Sequence, residues 1–145
     1  MSEEEIQKKY LELQILEGQI KQLQQQIQMM EQQLFELASL SESVEQISKV
    51  KPKTEMLIPL GAGVYAKGEL KDNKDLIMNV GANTTTTKSF TDAKKIIEDQ
   101  VAQVKGILEQ LSNQLEAAAM SGHKIQSELQ EAVNSSKSHV GHSHP

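Results

Sequence analysis

Met56–Lys88, with the sequence MLIPLGAGVYAKGELKDNKDLIMNVGANTTTTK, is the stretch that decides the fold of this chain. Its first part is an apolar run, Met56–Leu60, followed by Gly61-Ala62-Gly63. The run that comes next, Val64–Leu70, has small or apolar residues at alternate positions. An apolar run, a glycine-containing break and an alternating run together predict a β-hairpin.

The second part of the stretch repeats this order. Lys71–Lys74 supplies turn-forming residues, and Asp75–Val80 is a further apolar run. Gly81–Asn83 forms the next break, before the β-branched run Thr84–Lys88. Four short strands in two hairpins are therefore predicted.

Strands this short have unpaired edges and bury little apolar surface, so they favour pairing with other chains. We expect the hairpins to mediate assembly through their larger apolar side chains. These candidates are Leu57, Ile58, Leu60, Val64, Leu70, Ile77, Met78 and Val80.

Outward from the hairpins, each flank has the apolar repeat of a coiled-coil helix. The spacing alternates between three and four residues, which is typical of a helical seam. The pattern changes register near Ser41, where Leu40, Val44 and Ile47 continue the stripe. The first seam contains Ile6, Leu13, Leu16, Ile20, Leu23, Ile27, Met30, Leu34 and Leu37.

The second flank has a seam without charged residues. Ser89 lies three residues before Asp92 in a capping-box arrangement, with Thr91 as the competing cap, so this helix should begin near Phe90. Its seam contains Ile97, Val101, Val104, Leu108, Leu111, Leu115, Ala118, Gly122, Ile125, Leu129 and Ala132.

Two seams of similar length can bury each other by pairing antiparallel. The sequence thus predicts an α+β fold, in which a long antiparallel coiled-coil hairpin carries two central β-hairpins. The expected organisation is a helix over residues 1–50, two β-hairpins over 51–89, a helix over 90–134 and a disordered tail over 135–145.

Composition excludes several classes of function. The net charge is -5, and every basic residue is a lysine, so no arginine is available to recognise guanine or phosphate. The acidic N-terminus differs from a signal peptide, and no segment reaches the roughly 20 apolar residues of a membrane span. We expect a cytoplasmic protein that binds neither nucleic acid nor membrane.

The central stretch resembles a known family. Ile58–Leu70, Asp75–Ala82 and Lys88–Ala93, lying between two seam helices, are similar to the corresponding parts of alpha-type prefoldin subunits. The flanking helices match in pattern only. Thr84–Thr87 departs from the family, whose members more often have apolar or aromatic residues there.

This resemblance implies a quaternary structure and a function. Two alpha and four beta prefoldin subunits would join their hairpins into an oligomeric β-barrel from which the helical arms project. The assembly would hold unfolded client proteins without ATP and pass them to a group II chaperonin. The family needs no cofactor or metal.

Client contacts are expected where the two chain ends meet. In an antiparallel helix pair, residues near Ile6–Leu16 face those near Ile125–Val133, and Leu11 and Ile15 fall on outward positions. The alternative is that these are scattered surface residues, which are common in proteins. The candidate client-binding residues are Ile6, Tyr10, Leu11, Ile15, Ile125, Leu129 and Val133.

Other signals favour simpler interpretations. Gly61–Ala66 fits a loose dinucleotide fingerprint, but a strand rather than a helix follows it. His139, His142 and His144 could bind a transition metal, yet no acidic or cysteine ligand accompanies them. Neither paired carboxylates nor a nucleophile motif is present, so we do not expect an enzyme; a structural coiled-coil scaffold or filament is the main alternative.

Overall fold

The computed structural model describes the backbone of residues 1–142 and the side chains of residues 1–135. The elements are α1 (Glu3–Ser48), β1 (Glu55–Gly61), β2 (Val64–Glu69), β3 (Asp75–Gly81), β4 (Thr84–Ser89) and α2 (Phe90–His142). The chain forms two compact units. Unit 1 consists of Met1–Glu31 and α2 from Gly106 onward, and unit 2 consists of Gln32–Lys105. The predicted α+β class, with long helices and two antiparallel hairpins, is confirmed.

Side-chain caps fix where both helices begin. Ser2 Oγ accepts a hydrogen bond from the Glu5 amide at 3.2 Å, and the Glu5 carboxylate accepts one from the Ser2 amide at 3.4 Å. This reciprocal pair is a capping box at the start of α1. At α2, the amide of Asp92 donates to Ser89 Oγ at 3.1 Å, so Ser89 rather than Thr91 is the cap.

The end of α2 lies further along the chain than the pattern predicts. The helix continues to His142, past the expected end at residue 134. Loss of the apolar repeat does not by itself end a helix, because serine, lysine and histidine are all tolerated in helical turns. The last three residues of the expected disordered tail, and the side chains of its three histidines, lie outside the described residues.

Both hairpins use the same turn. Each has a register irregularity near the glycine that ends its first strand, Gly61 with φ 119° and Gly81 with φ 115°. Each then turns through two residues of positive φ, Ala62-Gly63 and Ala82-Asn83. A two-residue turn with positive φ at both positions matches the right-handed twist of the flanking strands. The hairpins are therefore two copies of one local design.

Unit 1 is an antiparallel helix pair. Lys9 of α1 pairs with Glu128 of α2, and Leu13 and Leu16 lie over Gly122. Leu16 Cδ2 is 3.5 Å from the position that a Cβ on Gly122 would occupy. Because Gly122 has no side chain, the leucines of α1 fill the space against α2 there.

Unit 2 contains the main apolar cluster. Val44 of α1 packs with Phe90 and Ile97 of α2, and Leu76 of β3 joins them together with Ile47 and Val101. The seam residues Leu37 and Val104 are also buried. From Val44 onward, α1 thus contacts the second hairpin as well as α2, consistent with the register change near Ser41.

Asn73, in the connection between the hairpins, caps the C-terminal end of α1. Its side-chain amide nitrogen, Nδ2, donates to the backbone carbonyl oxygens of Ser48 at 3.0 Å and Val50 at 2.9 Å. The last carbonyls of a helix have no partner within the helix, so the bond to Ser48 satisfies a group that would otherwise need water. The bond to Val50 holds the backbone two residues past the end of α1. One side chain thereby ties the connection to the helix end.

Replacing Asn73 should destabilise unit 2. Asn73→Ala removes both donors and is expected to lower the free energy of unfolding by about 1–3 kcal/mol. Asn73→Asp should cost at least as much, because a carboxylate cannot donate and faces two carbonyl oxygens. Urea unfolding followed by circular dichroism measures the change, with the exposed Asn134→Ala as control. Equal stability of all three variants would contradict the capping role.

Candidate functional site

An exposed apolar surface lies on the first turns of α1 in unit 1. The exposed fractions of Tyr10, Leu11 and Ile15 are 50%, 57% and 56%. Leu11 and Ile15 are one helical turn apart and therefore share one side of α1. These three candidate client-binding residues are therefore solvent-exposed in the single chain.

The other four candidate residues lie between the helices. Ile6, Ile125 and Val133 are half-buried, and Leu129 is 5% exposed. Beside them is an open groove of about 340 Å³, which we call the terminal groove. Its lining consists of Tyr10, Leu13, Gln126, Leu129, Gln130 and Val133. Three aliphatic side chains, one tyrosine ring and two amide side chains therefore line the terminal groove.

An ion pair that sequence reasoning missed crosses the same region. Lys9 donates to the carboxylate of Glu128, and the two side chains are 29% and 32% exposed. Lys9 lies three residues after Ile6 and four before Leu13, so Lys9 itself occupies a seam position. The position of Lys9 in the seam could have indicated an unusual polar contact, but it does not identify the partner of the lysine. Its acidic partner follows from the register of the two helices.

This ion pair changes the pKa of both groups. The hydrogen bond from Lys9 lowers the pKa of Glu128 from its ordinary 4.5, and the bond to Glu128 raises the pKa of Lys9 above 10.5. In unit 2, the hydrogen bond from Lys94 likewise lowers the pKa of Glu45. Each bond favours the charged form of its members.

A second exposed apolar surface covers the two hairpins. Each hairpin is a separate sheet of two strands, so its outer strand edges are unpaired within the described part of the chain. Six of the eight candidate assembly residues are exposed, and Tyr65, opposite Pro59 on the neighbouring strand, is exposed as well. The hairpin surface consists of Leu57, Ile58, Leu60, Val64, Tyr65, Ile77 and Val80.

The remaining two assembly candidates, Leu70 and Met78, are half-buried. On β3, Leu76 and Met78 are less exposed than Ile77, which is 76% exposed. Met78 lines an open groove of about 360 Å³ with Leu40, Val44 and Ile97 of the helices. Alternation along β3 thus divides its side chains between the helices of unit 2 and the solvent.

The described residues offer neither a metal site nor a membrane span. Among them, no group of three or more histidine, aspartate or glutamate side chains is placed to hold a metal ion. The histidines at 139, 142 and 144 fall outside the described side chains. Neither α1 nor the described part of α2 has an apolar stretch long enough to cross a membrane.

Comparisons with known proteins agree on one family. The family model described as prefoldin subunit matches residues 16–135. The chain is 25% identical over 138 residues to prefoldin subunit alpha of Methanococcus aeolicus, covering 95% of this chain and 94% of that protein. It is 25% identical over 128 residues to prefoldin subunit alpha of Archaeoglobus fulgidus, covering 88% and 93%.

A solved structure has the same fold. It is a cryo-EM structure of filamentous PFD from Methanocaldococcus jannaschii, with a TM-score of 0.70 and 16% sequence identity. The superposition covers 79% of this chain and 95% of that one.

Titration tests the ion pair between Lys9 and Glu128. We expect the carboxyl carbon of Glu128 to titrate below 4.5 by NMR and to move toward 4.5 in Lys9→Met. The stability contributed by the charged carboxylate is present above the unfolded-state pKa, and it is lost as pH falls through the lower folded-state pKa. In acid unfolding, the stability of Lys9→Met should therefore fall less steeply over this pH range than that of the natural sequence.

Lys94→Met is the matched control for that titration. It should raise the pKa of Glu45 and leave the pKa of Glu128 unchanged. A Glu128 titration that is the same with and without Lys9 would show that the two side chains are not paired in solution.

Proposed function

Because the chain belongs to the prefoldin family as an alpha-type member, we propose that it is a subunit of an ATP-independent chaperone that holds unfolded proteins. Prefoldin subunits are chaperone components rather than enzymes, and alpha subunits assemble with beta subunits. The observation that carries the proposal is the pair of exposed apolar surfaces, one on the hairpins and one on α1. Surfaces of this kind suit contacts with other protein chains.

The hairpin surface supports the assembly part of the proposal. Each hairpin can pair with another strand on either side, because neither of its outer edges is paired with a strand of the described residues. We propose that two copies of this chain join four beta-type subunits through these edges into a β-barrel. A cytoplasmic location and transfer of clients to a group II chaperonin belong to the same proposal.

The terminal surface, formed by Tyr10, Leu11 and Ile15, supports the holding part of the proposal. Contacts of these exposed side chains with an unfolded chain would be non-directional, at about 25 cal/mol per Å² of buried apolar area. Such contacts accept many sequences and release them readily. Several arms that act on one client would raise the overall affinity through avidity.

A filament without chaperone activity is the second candidate. The similar solved structure is of filamentous PFD, and an unpaired strand edge can accept an identical chain as well as a sister subunit. Suppression of the aggregation of a denatured client separates the two candidates, because only the chaperone suppresses it.

Charging the terminal surface should weaken client holding. Leu11→Glu with Ile15→Glu replaces the apolar contact by two carboxylates, which lose more by desolvation than they gain. We expect several-fold less suppression of client aggregation at equal concentration, with unchanged assembly mass. Met29→Glu with Met120→Glu is the matched control in unit 1, since both methionines are also exposed, at 67% and 68%. Equal loss in both double variants would argue against a specific terminal contact.

Charging the hairpin surface should instead block assembly. Leu57→Lys with Ile77→Lys places one cation on each hairpin, at side chains that are 62% and 76% exposed in the single chain. Native mass spectrometry with a beta-type subunit should then give free chains in place of a complex. The double variant Leu11→Glu with Ile15→Glu is the control, and its complex should keep the mass of the complex formed by the natural sequence. Full assembly of the hairpin variant would place the interface elsewhere.

A further inference from the structure

Lys9 occupies a position where the helix pair of unit 1 should be apolar. It follows Ile6 and precedes Leu13 at seam spacing, and the surrounding seam residues of α1 are aliphatic. A lysine at such a position lowers coiled-coil stability unless its charge is satisfied. Glu128 satisfies it, from a position that flanks Ile125 and Leu129 on α2. The helices are thus held here by a polar contact.

A glycine lies on the α2 side of the interface next to this contact. We define the terminal segment as residues 3–16 of α1 with residues 122–133 of α2. At one side of it, Gly122 contributes no side chain to the interface, which reduces the apolar area buried per turn. Among the ion pairs of the described residues, the pair of Lys9 and Glu128 is the one that joins α1 to α2 in unit 1.

Apolar seam residues lie within about one helical turn of this contact on both helices. Leu129 is almost fully buried, while Leu13 and Ile125 are half-buried. Leu13 and Leu129 also line the open terminal groove. If α1 moved away from α2 in the terminal segment, the terminal groove would widen and expose Leu13, Ile125 and Leu129.

We propose that the ion pair between Lys9 and Glu128 is a latch over a concealed apolar surface. With the latch closed, Tyr10, Leu11 and Ile15 are the apolar side chains presented to a client. With it open, Leu13, Ile125 and Leu129 become an additional contact for an extended apolar segment. The identity of this occupant rests on the proposed chaperone function, whereas the latch itself does not.

Charge distribution predicts opposite effects for the two partners. Glu5 and Glu12 add to the negative potential at Lys9, and Lys124 adds a positive charge near Glu128. Glu128→Gln leaves a charged lysine in the seam without its main partner, which opposes closure. Lys9→Leu instead fills the seam position with an apolar side chain, which favours closure. Both variants break the same ion pair.

Distance measurements between spin labels test the latch directly. The chain contains no cysteine, so Gln7→Cys and Ser127→Cys, both at exposed positions of unit 1, can carry one label each. The labelled chain is measured in the assembly that it forms, diluted with unlabelled chain to remove distances between copies. Glu45→Gln, which breaks the pair with Lys94 in unit 2, is the matched control.

Specific shifts are expected from each variant. Glu128→Gln should lengthen and broaden the distance distribution, Lys9→Leu should shorten and narrow it, and Glu45→Gln should leave it unchanged. Added salt should lengthen it in the natural sequence but not in Lys9→Leu, because salt screens exposed charges. Shifts of the same sign in Glu128→Gln and Lys9→Leu, or no shift in either, would overturn the latch.

Client holding tests the concealed surface separately. Glu128→Gln should suppress aggregation of a denatured client at lower concentration than the natural sequence, and Lys9→Leu should need more. Unchanged holding in a variant whose labels have moved apart would overturn the concealed contact. Absence of holding by the natural sequence would overturn the proposed function, and the label distances would still decide whether the latch exists.

Discussion

Two antiparallel strands cannot bury both faces of the sheet that they form, and the rest of this molecule depends on that constraint. Each hairpin is held by its own turn and by six cross-strand register pairs, yet its edges and much of its apolar surface remain open. A two-stranded sheet is at best marginally stable in water, so it needs a helix or another chain to cover it. The second hairpin obtains part of that cover from α1 and α2 through Leu76 and Met78. The remainder of the hairpin surface is exposed in the single chain.

The helices differ from the hairpins, because the apolar seams of α1 and α2 bury each other within the chain. In unit 2 the contact is apolar and includes Val44, Phe90 and Ile97, with Asn73 satisfying the carbonyls at the end of α1. In unit 1 the seam includes Gly122 and the charged Lys9. The helix interfaces of the two units thus differ in composition.

Local patterns predicted most of the fold. The alternating spacing of three and four located both seams, because helical periodicity depends only on neighbouring residues. The glycine breaks located both hairpin turns, since Gly61 and Gly81 adopt φ values that other residues avoid. Contacts between distant residues were not predictable: the cap by Asn73 depends on where the connection between the hairpins meets the end of α1, and the pairing of Lys9 with Glu128 depends on helix register. The end of α2 was misplaced because no residue near 134 breaks a helix.

The central claim is that the chain assembles with beta-type subunits into a chaperone. Native mass spectrometry tests it most directly, on the chain mixed with a beta-type prefoldin subunit. The same sample is then assayed for client aggregation without ATP. A discrete complex of two copies of this chain with four beta-type subunits, able to suppress aggregation, is the predicted result. A monomer that stays folded and does not associate would contradict the claim that the hairpin surface needs a partner. Homo-filaments that leave the client to aggregate would contradict the chaperone assignment.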